Sequence, residues 1–162
     1  MQSRIVGYLL EEDTPVPVFS QDREACNRFS KWFEDPQNRE VERTPIREGL
    51  LVVTSFLGIN RARHPDKELV LWETQVFKEG VAGSSHLCSS AQAARTVHWE
   101  LVWCVLRKEC LPIPPELREA ILRHVPAAFR ADYPFPSLPT SLGEVSLPNP
   151  QVRPLRGNPV KS

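Results

Sequence analysis

The stretch LLVVTSFLGINRARHPDKELVLWETQVF, residues 50–77, decides the fold: two apolar runs rich in β-branched and aromatic residues flank a loop dense in charge. Runs of strand length divided by a polar break read as two β-strands joined as an antiparallel pair. Side chains alternate along a strand, so Leu69, Leu71, Glu73, Gln75 and Phe77 share one face of the second run. Val70, Trp72, Thr74 and Val76 share the other. The pair is expected at the centre of a sheet. In the intervening loop Arg61, Arg63, His64 and Lys67 form a local basic cluster, offset by Asp66 and Glu68. It reads first as a solvated hairpin tip and second as a contact surface for an acidic partner.

On the N-terminal side, RIVGYLLEEDTPVPVF places two apolar runs, residues 4 to 10 and 16 to 19, about an acidic turn, as in a hairpin. Ser20 is the expected N-cap of a helix over residues 21–34, with Asp22 and Glu24 in the first turn, where the helix dipole favours negative charge. Ala25, Phe29, Trp32 and Phe33 recur at helical spacing, and this stripe is read as core packing rather than a ligand platform. Residues 39–46 alternate weakly and suit a short edge strand limited by Pro45.

On the C-terminal side, Ser89 or Ser90 caps a helix over residues 90–109. Its run from Val97 to Leu106 leaves almost no polar face, which predicts burial on both sides, between the sheet and another element or in a subunit interface. A further amphipathic helix starts at the Pro114–Pro115 pair and stops before Pro126. Residues 126–162 hold eight of the 16 prolines and no sustained period. Two segments are therefore expected: an α+β domain over 1–125 and a Pro-rich tail over 126–162, extended or bound to a partner. Phe129, Tyr133, Phe135, Leu138 and Leu142 give that tail apolar anchors.

Twenty basic and twenty acidic residues cancel, so no net field draws the chain to phosphate backbones or anionic membranes. Nucleic acid is not an expected partner. No 18-residue apolar run provides a membrane span. Cys26, Cys88, Cys104 and Cys110 fit no C-x-x-C spacing, and MQSRIVGYLLEEDTP lacks the features of a signal peptide. Reduced cysteines in a soluble, cytoplasmic protein without a bound metal or cofactor are the resulting expectation.

The succession VVTSFLGIN, charged loop, LWETQVF, second loop and a helix reaching AARTVHWELV resembles a family of small uncharacterised proteins of bacteriophages and prophage regions. The resemblance covers residues 50 to about 105 and is anchored on Thr54, Phe56, Leu57, Gly58, Glu73, Thr74, Val76, Phe77 and His98. It implies a phage or bacterial cytoplasmic setting and carries no established activity. Where relatives usually show an acidic residue after the FLG turn this chain has Asn60, and their Gly-rich loop is here RARHPDK. The amide removes a charged metal ligand or general base from the hairpin.

No nucleophile elbow, phosphate-cradling loop or H-E-x-x-H motif is present. The constellation that remains is Glu73, mid-strand, with His98, mid-helix, and Asn60 or His64 from the loop. If the long helix covers the face bearing Glu73, the two residues meet, either as a mutually satisfied polar pair or as a site for acid–base chemistry or a ligand.

The sequence thus predicts an α+β fold: an antiparallel sheet of four to five strands, a long buried helix on one face, a second amphipathic helix and a Pro-rich tail. It predicts a small phage accessory protein in the host cytoplasm that binds a host or phage macromolecule, in the first place a protein, with no catalytic residue. The alternative is an enzyme or small-ligand-binding protein with a Glu73/His98 site. The candidate binding residues are Asn60, Arg61, Arg63, His64, Glu73 and His98, and the apolar helix 90–109 offers a surface for homo-oligomerisation.

Overall fold

A computed structural model describes residues 3–62 and 68–132. Arg63, His64, Asp66 and Lys67 of the charged loop, and the tail from Tyr133 onward, lie outside the described residues. The fold is α+β. Ile5–Glu11 (β1) and Thr14–Phe19 (β2) form a two-stranded antiparallel hairpin, followed by the helix Arg23–Glu34 (α1) and a 3-10 turn at Pro36–Arg39. The strands Glu40–Arg47 (β3), Leu50–Phe56 (β4), Trp72–Lys78 (β5) and Val81–Cys88 (β6) then build a four-stranded antiparallel meander in chain order. The helices Ala91–Lys108 (α2), Pro115–His124 (α3) and Ala127–Asp132 (α4) follow.

Local chemistry explains each boundary. Glu12 and Asp13 both adopt positive φ, 47° and 66°, and so form the two-residue turn whose twist matches a tight hairpin. α1 begins two residues later than the sequence suggested, because Asp22 rather than Ser20 is the cap: its carboxylate accepts the Ala25 N–H at 2.9 Å. An ionised acceptor there also complements the helix dipole. Ser90 caps α2 through the Ala93 N–H at 3.1 Å, with Arg107 and Lys108 in the last turn.

The central pair is in the expected register, Val52 opposite Val76 and Thr54 opposite Thr74. β4 is apolar on both faces, and α2 covers the one bearing Leu50, Val52, Thr54 and Phe56, all nearly inaccessible. That places Trp72, Thr74 and Val76 of β5 against the helix and turns Glu73, Gln75 and Phe77 away from it. The second side of α2 is closed by α3: Trp99, Val102, Trp103 and Leu106 share a cluster with Val52, Ile121 and Val125. The helix expected to be buried on both sides is thus held between the sheet and another element of its own chain. Leu101, Cys104 and Val105 remain half-buried toward β6.

A second cluster, Tyr8, Phe56, Leu71, Trp72, Cys88 and Ala94, joins the N-terminal hairpin to the sheet, and Tyr8 donates its backbone N–H to the Gly58 carbonyl at 2.8 Å. The aromatic stripe of α1 is half-buried rather than central. Trp32 meets Phe56 edge-on at 5.8 Å, and Gly7 lies directly under the Phe29 ring, where a Cβ would come within 2.3 Å of it. Two expectations change. Val81–Cys88 is a full strand although its sequence shows no apolar alternation, because it is an edge exposed along nearly its whole length. The 126–162 segment also begins with a short helix, α4, whose Phe129 packs on the main core cluster, so the packed structure continues past residue 125. Among the described residues no helix is long and apolar enough to cross a membrane.

Candidate functional site

The register brings Thr44, Thr54 and Thr74 beneath one residue of α2, His98, which is completely buried. Thr44 Oγ1 lies 2.9 Å from His98 Nε2, Thr54 Oγ1 lies 2.9 Å from Nδ1, and Thr54 and Thr74 hydroxyls are 2.8 Å apart. Thr74 donates onward to the Ala94 carbonyl at 3.5 Å. Because a carbonyl only accepts, one direction satisfies the whole chain of groups. Thr44 O–H donates to Nε2, Nδ1–H donates to Thr54, Thr54 donates to Thr74, and Thr74 donates to the carbonyl. Burial holds the imidazole neutral, with its pKa lowered to about 4. The result is a polar layer between two apolar clusters that fixes how α2 sits on the sheet. A sealed, neutral, fully bonded histidine has neither the solvent access nor the open partner that acid–base work requires.

Glu73 does not meet it. It projects from the opposite face of the sheet and accepts a short hydrogen bond from Ser85 Oγ of β6. The Glu73/His98 centre expected from sequence is therefore overturned: residue parity along β5 gives Thr74, not Glu73, to the histidine. Asn60 is also spent internally. Its side-chain oxygen accepts the N–H groups of Ala62 and Val70, both at 3.0 Å, and Arg61 N–H reaches the Val70 carbonyl at 2.9 Å. An acceptor amide at this position closes the stem of the charged loop without placing a charge there. Arg61 is exposed, whereas Arg63 and His64 lie outside the described residues. Among the described residues no group of three or more His, Cys, Asp or Glu is arranged to hold a metal ion.

The uncovered face of the sheet forms a shallow concavity of about 440 Å³. Its floor is Leu51, Val53 and Phe77 with Ser55 and Gln75, and Glu73 lies beside them. Arg39, Glu40 and Arg43 stand on its rim, the last two paired at 3.2 Å. Arg39 also lies over the Phe33 ring at 4.8 Å. A sheet face left to water normally alternates to polar side chains. This one keeps an apolar floor and a rim of both charge signs. Sequence reasoning singled out Glu73 but missed the floor around it, since Leu51 and Val53 read equally well as core.

A second polar group is structural. Arg95 of α2 reaches Asp13 of the hairpin turn at 3.3 Å and Glu42 of β3 at 3.9 Å, tying three elements together. Burial raises the Glu42 pKa, and Arg95 offsets part of that rise. No protein-family model, curated protein or solved structure matches this chain.

Proposed function

We propose that the protein acts by binding another macromolecule, in the first place a protein, through the face of the sheet that α2 leaves uncovered. The observation that carries this reading is the composition of that face: Leu51 and Phe77, both half-buried, are apolar where solvent-facing positions would be polar, and they lie beside the more deeply set Val53 within a ring of Arg39, Glu40, Arg43 and Glu73. An apolar centre with a polar rim is the usual anatomy of a protein-binding patch. The balanced charge of the chain supports a protein partner over nucleic acid. A phage accessory role in the host cytoplasm belongs to the same proposal and rests on the resemblance of residues 50 to about 105. Catalysis at a Glu73/His98 pair is not part of it, because the two side chains occupy opposite faces of the sheet.

The test is affinity capture with the full chain and with Phe77→Asp, each checked by circular dichroism and thermal melting. The variant is expected to melt close to the parent and to lose the captured partner. Capture of the same proteins at the same yield by both chains refutes this face as the binding site.

A further inference from the structure

The two edges of the four-stranded sheet are built differently. β3 carries Glu40, Glu42, Arg43 and Arg47, a proline at position 45, and register shifts at Glu40/Glu42 and Pro45/Arg47. Charge, proline and bulges are the devices that stop an edge from accepting another strand. β6, the opposite edge, reads VAGSSHLC: eight residues with no Asp, Glu, Lys, Arg or Pro. It is exposed from Val81 to Leu87, with Val81 at 68% and Leu87 at 52%, and its pairing with β5 is regular over Ser85–Cys88. The half-buried apolar residues Leu101, Cys104 and Val105 of α2 lie alongside it. The two-residue step from Gln75 to Phe77 in β5 faces the three-residue step from Ser85 to Ala82, so β6 itself bulges near its Val81 end and Ser85–Cys88 is the regular segment available for pairing.

We propose that β6 is a self-association edge: two copies of this chain pair β6 to β6, antiparallel, and continue the sheet from four strands to eight. The occupant follows from charge. A strand without Asp, Glu, Lys or Arg sets none of these charges opposite its like when it pairs with its own copy, whereas pairing against β3 would set Glu and Arg side chains and Pro45 across from it. Head-to-tail β6–β3 growth, which would make an open filament, is blocked by the protected edge. The remaining β6–β6 contact is isologous and closes at two. Among the described residues no strand pairs with the outer side of β6, which leaves its main-chain groups there to a second copy, and Leu87 of each copy comes beside its symmetry mate on the face away from α2. This goes beyond the partner-binding face, because it joins two such faces into one surface.

Sedimentation of the full chain tests it. The parent is expected at twice the chain mass, dissociating on dilution. His86 is exposed in the regular part of β6 and next to Leu87, so in the proposed pairing a charge there meets its own copy near the two-fold axis. His86→Lys and His86→Glu, each alone, are expected to weaken association at least tenfold with unchanged melting of the monomer, and an equimolar mixture of the two to restore the dimer. Restoration in the mixture excludes misfolding as the cause of the loss. A parent that stays monomeric up to its solubility limit overturns the proposal. So does a dimer that tolerates either substituted chain, which would place the interface elsewhere, and so does a monomer that dimerises only when residues 133–162 are removed, which would give the edge to the tail.

Discussion

His98 makes stability depend on pH in a direction and window that can be computed. Replacing it with Gln removes the titration while keeping a polar side chain among the three threonines. In the folded chain the imidazole titrates at about 4, against 6.5 for an ordinary histidine. The group is a base whose folded pKa is depressed, so below pH 6.5 the unfolded chain takes up a proton that the folded chain refuses. Its contribution is fully present above pH 6.5 and is lost as pH falls toward 4. At 1.36 kcal/mol per decade the loss amounts to about 3 kcal/mol. His124, lowered by burial, adds in the same direction, and Glu42 and Glu100, both raised by burial, act in the opposite one. Comparing parent with variant cancels those shared groups. The assay is urea unfolding of both chains from pH 7.5 to 4. The expected result is a parent stability that falls about 3 kcal/mol further than that of His98→Gln across the window. Parallel curves would refute the reasoning, since they would mean that His98 is hydrated or titrates normally in the folded state.

Trp72 and Trp103 are 2% and 0% exposed, so Trp72→Ala and Trp103→Ala should each cost about 3–5 kcal/mol in denaturant midpoint experiments; a near-neutral Trp72 variant would place β5 at the surface. Asp22→Ala removes the cap of α1 and should cost about 1 kcal/mol, whereas Ser20→Ala should change the thermal midpoint little; equal effects would contradict the Asp22–Ala25 bond. Glu73→Gln and His98→Gln should add in a double-mutant cycle to within about 0.5 kcal/mol, because the side chains face opposite ways and share no partner; strong coupling would show that they touch.

Two features were legible in the sequence, the central strand pair and the run of α2 with its Ser90 cap. Both elements are set by local composition and periodicity. Residues 50–56 and 72–78 are too rich in β-branched and aromatic side chains to be anything but paired strands, and Val97–Leu106 is too apolar to stand in water. Asp22 displaced Ser20 as cap because the two are chemically interchangeable there and only the chain's path chooses between them. β6 escaped notice because an exposed edge has no buried face to impose alternation on VAGSSHLC.

The tertiary structure decided the rest, and above all which face of the sheet α2 covers. On β4 both faces are apolar, Val52 and Phe56 on one side and Leu51 and Val53 on the other, so no period in the sequence distinguishes inside from outside. That single choice sends Thr54 and Thr74 to His98, turns Glu73 outward and leaves Leu51 and Phe77 half-buried, beside Val53, on the face that α2 does not cover. A side-chain alternation of two residues fixes which groups travel together, but only packing against the helix fixes which set is buried.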